Sequence, residues 1–334
     1  MTAIASSTAA VEHAVGRRGR LVADPSGRLA LQFGPEMIPR LHALCAPDGR
    51  VFSLWVAAHL GVYAVALFLI AHVHALLVQA LLSLVVANQL HAITVLQHDC
   101  GHGSAYKSGA ANLWMGRLLA SFIFMPFTTF TVIHRRHHMF LGEPGKDPDE
   151  WFYAGGRIVA FAREVFFMPY FTVRSLIEFG RDVRRVVLCE LAATTVLWAT
   201  TAYWLVSRGM IGSLMWGLVM PMVLLATVIN PISRAYEHYP MATLTRGDRR
   251  RRDLRFNTVT VTSRVLGVLW ANITYHVEHH LYPRVPCHRL EVLHGLLRDR
   301  DYVMSPFVLH RLDDPEITNR LNARIAMDHG GARD

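Results

Sequence analysis

Cysteine is scarce in this sequence: Cys45, Cys100, Cys189 and Cys287 are the four among 334 residues, with no Cys-x-x-Cys and no close pair. That argues against a disulfide framework and suits reduced thiols in a protein facing the cytosol. Charge is scarce too. Charged residues make up 18% and hydrophobic ones 52%, against about 25% charged in soluble domains, so the composition leans toward the membrane. Acidic residues are outnumbered 25 to 34, a net charge of +9. The arginines flank apolar runs instead of interleaving with aromatics on one polar face, so no nucleic-acid partner is expected. There is no Pro/Gly/Ser-rich linker and no internal repeat. One domain is therefore expected over 27–310, between a tail at 1–26 and another at 311–334. Residues 1–26 lack an apolar run long enough for a secretory signal and are expected to be disordered.

Long apolar runs, by contrast, are plentiful. Residues 54–73 are almost continuously apolar, and about 20 residues at about 1.5 Å each cross a hydrocarbon core of about 30 Å. A second run, 75–96, follows a tight turn, and two more cover 186–206 and 211–230, the last with Pro221 inside. Segments 111–133 and 158–173 are apolar but interrupted by Arg117, Pro126, Arg163, Glu164 and Pro169, which leaves each open between an interfacial helix and a further span. Four spans put the N-terminus, the central segment and the C-terminal region on one side. Arg135, Arg136, Lys146, Arg157, Arg181, Arg184, Arg185 and the run from Arg246 to Arg255 fall on that side, against Arg208 alone on the other. Positive charge marks it as cytoplasmic. The expected fold is all-α and integral to the membrane, about four transmembrane helices with a cytosolic helical cap.

Three histidine clusters stand out: His98-x-x-x-His102, His134-x-x-His137-His138 and His276-x-x-His279-His280. Residues three or four apart share one face of a helix, so each cluster presents its ring nitrogens in one direction. Neutral imidazole suits iron, zinc, copper and nickel. Eight such side chains exceed the needs of one ion, so two ions with open positions are implied. The competing reading, histidines clustered by chance or buried singly, fits a lone His better than three clusters in register. His91, seven residues before His98, shares its face and is either a supporting group or an ordinary packed residue.

With Gly103-Ser104 after the first cluster, Asp147-Pro-Asp149-Glu150 after the second and Leu281-Tyr-Pro-x-Val-Pro286 after the third, this pattern resembles the membrane fatty acid desaturase superfamily. That superfamily includes acyl-lipid desaturases, acetylenases, carotenoid hydroxylases and ketolases, and the likeness covers roughly residues 50–300. The resemblance implies a non-haem diiron centre with O2 as co-substrate, held by His98, His102, His134, His137, His138, His276, His279 and His280. His238, in Arg234-x-x-Glu237-His238, resembles an extra-ligand motif of bacterial members; an interfacial histidine is the competing reading. The residues alone leave zinc and copper open, and the likeness selects iron.

Asp99, Asp147, Asp149, Glu237 and Glu278 sit beside these histidines, where a carboxylate can take a ligating ring's far N–H. For Asp147 and Asp149 a plain turn is the alternative. Cys100 is expected to be a small packed residue. The resemblance implies desaturation of an acyl chain carried on a lipid, CoA or acyl carrier protein. A hydroxylase or ketolase on the same centre is the runner-up, and a membrane haem or metal-binding protein is the non-enzyme alternative. A histidine opening the third box and no His-Pro-Gly-Gly motif imply a separate electron donor, a ferredoxin or cytochrome b5. The 246–255 run either docks an acidic partner or headgroup or simply marks topology. Phe122, Phe124, Met125, Phe127, Phe166, Phe167, Met168 and Phe171 either line an acyl tunnel or anchor interfacial helices. A bacterial inner membrane or its equivalent is the expected location.

Overall fold

A computed structural model describes residues 21–23, 29–31, 38–238, 241–242, 244–252 and 257–297. Apart from 21–23, the two expected tails lie outside the described residues, as do positions 253–255 of the basic run. Beyond an antiparallel ribbon of Leu21–Ala23 with Leu29–Leu31 and an isolated bridge between Thr260 and Tyr275, the regular structure among the described residues is helical.

Four helices are long and apolar enough to cross a membrane: Gly49–His72, Leu76–His102, Arg181–Ser207 and Ile211–Arg234. They are the four expected spans, each extended by a few residues. Span one starts at Asp48, whose carboxylate accepts from the N–H groups of Arg50 and Val51 at 3.2 Å, meeting two of the donors a helix start leaves free. Span two is the centre of the molecule, with half of its apolar window buried against 6% for span three, which therefore presents most of its surface outward. Within the membrane, polar side chains find partners across helices. His59 Nδ1 meets Gln89 Oε1 at 2.7 Å between spans one and two, and Ser83 Oγ donates to the carbonyl of Trp216 on span four.

The two ambiguous segments do not span. They form helices Gly109–Ser121, Phe127–Phe140, Arg157–Glu164 and Phe167–Glu178. The longest has 14 residues and, at about 1.5 Å per residue, reaches about 20 Å, short of a bilayer core. Met125, Phe127, Phe167 and Phe171 are buried, so these four belong to the core and not to an interfacial belt; Phe124 and Phe166 are the exposed ones. Glu190 on span three is satisfied by Arg117 Nε at 2.8 Å, Thr128 N at 2.8 Å and Thr128 Oγ1 at 2.9 Å. It thereby caps the helix that carries the second histidine cluster.

Span four departs from regular geometry. Two π-helical turns, Met215–Val219 and Leu225–Ile229, interrupt its α-helical pieces before the chain runs on through Asn230–Glu237. Pro221 lies just after the first of them, where a wider turn accommodates its missing N–H.

Candidate metal centre

Each histidine cluster sits on a helix, and the fold brings the three together. The first occupies the last turn of span two, which Gly103 ends in a left-handed conformation at φ 70° while its N–H bonds back to the carbonyls of Asp99 and Cys100. The second lies on Phe127–Phe140, which ends at Gly142, φ 73°. The third forms helix His276–Leu281. Trp270 Nε1 donates to Asn88 Oδ1 at 3.0 Å, and Asn88 Nδ2 donates to the carbonyl of Leu269, which fastens the approach to the third cluster onto span two. Asp99 Oδ2 accepts from the N–H of Cys287 at 2.9 Å and fastens its far side.

The nine rings form two groups of facing Nε2 atoms. In one, the chain of neighbours runs His102, His134, His138, His279, His98, with successive separations of 3.1, 2.9, 3.0 and 2.9 Å. In the other it runs His137, His238, His276, His280, at 3.0, 3.1 and 3.1 Å. The five donors of the first group all lie within 4.8 Å of one another, as do those of His137, His238 and His280 in the second. His238, the uncertain ninth, is therefore placed among the box histidines and is 1% exposed.

This arrangement fits cations better than hydrogen bonds. A ring Nε2 carries either one hydrogen or one lone pair, in a single in-plane direction. A nitrogen facing two others, such as that of His134, His138 or His276, can serve only one. In the second group His137 Nδ1 donates to Asp147 Oδ1 at 2.8 Å and His238 Nδ1 donates to the carbonyl of Asn257 at 2.9 Å. With both rings neutral, the state in which they can bind metal, their lone pairs face each other across 3.0 Å. A metal accepting both removes the conflict. With metal–imidazole distances of about 2.1 Å, ligands at right angles stand about 3 Å apart, the spacing seen here.

Burial, reinforced by neighbouring rings, holds His134, His138, His238, His276, His279 and His280 well below the ordinary imidazole value, so they keep their lone pairs at neutral pH. His137 differs. Burial pushes it down, but Asp149 and Asp147 more than offset this, and it ends above the ordinary value.

The five expected supporting carboxylates divide. Asp147 holds His137 and also accepts from the N–H groups of Gly142 and Asp149. Asp149 lies 3.6 Å from the same Nδ1. Asp99 stands 3.6 Å from His98 Nδ1 and spends its hydrogen bond on Cys287. Glu237 approaches the Nε2 of His276, not its Nδ1, at 3.6 Å. Glu278 faces away, accepting from Thr260 Oγ1 and pairing with His294 Nδ1, both at 2.6 Å. His91 meets the edge of Trp270 and none of the box rings. Cys100 is buried as a packed residue.

Sequence reasoning gave no role to Arg234 and Glu164, which join Asp149 and Glu237 in an ion cluster beside the second group. Arg234 lies 3.1 Å from Asp149, 3.4 Å from Glu164 and 3.8 Å from Glu237, and its guanidinium stacks 4.0 Å over Phe167. One cation cannot balance three buried carboxylates. Burial accordingly pushes Glu164 up to about 8 and Glu237 up to about 7 despite the arginine. The interruption of an apolar run by Arg163-Glu164 was the available signal, because an acid in such a run needs a buried partner.

Comparison with known proteins agrees with this geometry. The chain is 28% identical to a sphingolipid delta(4)-desaturase/C4-monooxygenase of Bos taurus over 216 residues, 59% of this chain and 58% of that protein. Shorter matches reach an sn-1 acyl-lipid omega-3 desaturase (ferredoxin) of Synechocystis, 38% over 61 residues, 18% of this chain and 17% of that one. They also reach an acyl-lipid omega-3 desaturase (cytochrome b5) of the endoplasmic reticulum in Arabidopsis thaliana, 42% over 60 residues, 18% of this chain and 15% of that one. The chain thus spans under two thirds of the length of these relatives. The family model described as fatty acid desaturase matches residues 71–308, a stretch that runs from the end of span one past the third histidine cluster, and the chain belongs to that family.

Proposed function

We propose that this chain is an O2-dependent, non-haem diiron oxidoreductase that introduces a double bond into an acyl chain, with its centre on the cytoplasmic side of the membrane. The observation that carries the reading is the pair of facing Nε2 groups. His98, His102, His134, His138 and His279 would hold one iron, and His137, His238, His276 and His280 the other. Bound iron, with O2 and two electrons, supplies the power to take hydrogen from an unactivated C–H bond. The residues of the chain prepare the site. Asp147 and the carbonyl of Asn257 keep protons on Nδ1 of His137 and His238, which leaves both Nε2 atoms as donors and fixes the ring planes. Glu237 Oε2, 3.6 Å from His276 Nε2, is placed to hold a proton beside the donor atoms. Burial of seven of the nine rings keeps water away from most of the donor atoms.

Electrons would come from a separate ferredoxin or cytochrome b5; each is named with one of the relatives. The bovine relative's name joins a desaturase to a C4-monooxygenase, which favours a hydroxylase as the second reading. Mass spectrometry of lipids and acyl carriers from cells expressing the chain separates the two, since desaturation loses two hydrogens and hydroxylation gains one oxygen. A His137→Ala control is expected to give neither product. Two irons per chain and no strong Soret band are expected of the purified protein; a haem spectrum would defeat the proposal.

A further inference from the structure

Desaturation makes a demand for protons that the imidazoles do not meet. Taking two hydrogens from a CH2–CH2 unit and reducing O2 to two waters consumes two electrons and two protons, and a one-electron donor protein hands over electrons alone. A ring that gives its lone pair to a metal cannot carry a proton on the same nitrogen. Both protons must therefore reach a buried site through other groups. Glu164, the last residue of helix Arg157–Glu164, is fully buried, and neither of its oxygens has a hydrogen-bond partner among the described residues. Arg234, 3.4 Å away, is shared with Asp149 at 3.1 Å and with Glu237 at 3.8 Å. With one cation for three carboxyl groups, a proton neutralises the group whose ionisation costs most, and that cost is greatest where burial is complete. Asp149, Tyr153, Arg234 and Glu237 are the titratable and charged groups that face Glu164.

This carboxyl lies between solvent and the second imidazole group. Tyr153, Asp147, Tyr170 and Arg251 line a cavity of about 790 Å³, and Ile177 and Arg246, which also line it, are exposed. The Tyr153 hydroxyl is buried and without a hydrogen-bond partner. Burial, with Glu164 and Asp149 nearby, raises it well above the ordinary phenol value, so it keeps its hydrogen and can accept one proton while giving up another. Buried polar atoms without a protein partner are where ordered water sits, and Tyr153, Glu164 and Asp149 each present at least one. On the inner side Arg234 leads to Glu237, whose Oε2 is 3.6 Å from His276 Nε2.

We infer that Glu164 carries protons from the cavity to the second imidazole group, with the Tyr153 hydroxyl as its link to the cavity. The O–H bond of the Glu164 carboxyl breaks with its electron pair left on the oxygen, and the proton moves inward and ends in product water. A proton arriving by way of Tyr153 then restores the carboxyl, and two such passes serve one double bond. The inference rests on the desaturase reading above and adds to it the route by which its protons enter.

The test reduces the iron-loaded full chain with dithionite in a neutral maltoside detergent and mixes it with O2 in H2O and in D2O, following reoxidation by absorbance. Reoxidation of the unaltered chain is expected to be slower in D2O and to slow as pH rises through about 8, where Glu164 loses its proton. Glu164→Gln, which keeps the shape and gives up no proton, should be at least about tenfold slower near neutral pH and flat across that range. Glu164→Asp should restore most of the rate. Tyr153→Phe should slow reoxidation as well. Infrared spectra of the resting protein supply a readout independent of turnover: a carbonyl stretch of a protonated carboxyl, shifted in D2O, is expected in the unaltered chain and in Tyr153→Phe and diminished in Glu164→Gln. The inference is overturned if that band survives undiminished in Glu164→Gln, or if either Glu164→Gln or Tyr153→Phe reoxidises like the unaltered chain. Iron content reports folding of each variant, and if Glu164→Gln loses iron, Tyr153→Phe, which removes a single oxygen, decides. A chain that never holds iron sinks the desaturase reading, whereas full iron with unchanged reoxidation in these variants sinks the proton route alone.

Discussion

The two groups of imidazoles differ in what stands behind them. In the five-membered group the far nitrogens of His98 and His279 make no hydrogen bond, and the ring of His134 stacks on Phe130 at 5.1 Å. In the four-membered group His137 is gripped by a carboxylate, His238 by a carbonyl, and Arg234 with its three acids stands behind them. Identical ligand chemistry thus meets a loose support on one side, where Asp99 stands off His98 at 3.6 Å, and hydrogen-bonded supports backed by an ion cluster on the other. A ring whose far N–H is taken by a carboxylate is held in one orientation and donates more strongly. The second group should therefore keep its ion more firmly at neutral pH and lose it more abruptly when its supports are disturbed.

The strongest way to break this contrast is to remove a ligand from each group. His137→Ala and His279→Ala should both abolish product formation while each releases one ion of the two, as metal analysis would show; full activity in either variant would refute the ligand assignment. Next comes the support itself. Arg234→Met leaves three buried carboxylates without their cation, and a loss of about 3–5 kcal/mol is expected in chemical unfolding of the detergent-solubilised chain. A smaller effect is expected of Asp147→Asn: about 10- to 100-fold weaker retention of the second ion against a chelator, with the first unchanged. Equal weakening of both ions would erase the distinction.

Acid gives the mildest test. His137 is raised by its carboxylates, so as pH falls it takes up a proton before the rings held below the ordinary value, and it does so at Nε2, where it competes with metal. As pH falls below neutral the second ion should leave first. Simultaneous release would remove the asymmetry.

How much of this was legible in the sequence depended on the range of the interaction. The spans followed from unbroken apolar length, and the direction of each histidine cluster from helical spacing, because both are local properties. Proximity along the chain misled where helix geometry turned a neighbour away. Glu278, adjacent to His279, sits about 100° round the helix from it and serves His294 instead. Asp147, ten residues beyond His137, returns to it through the turn at Gly142. Arg234 with Glu164 and Arg251 with its cavity join segments dozens of residues apart, and no local pattern encodes such meetings. Their only trace was charge inside or beside apolar runs.

The two widened turns of span four set where everything after them points. Each lets the helix take up an added residue within its hydrogen-bond ladder, and one residue of α-helix corresponds to about 100° of rotation. Deleting a single position within Met215–Val219 or Leu225–Ile229 would restore a regular ladder and swing Arg234, Glu237 and His238 away from the rings they meet. The angular setting of the ninth imidazole is thus stored deep in the bilayer, several turns before the histidine itself.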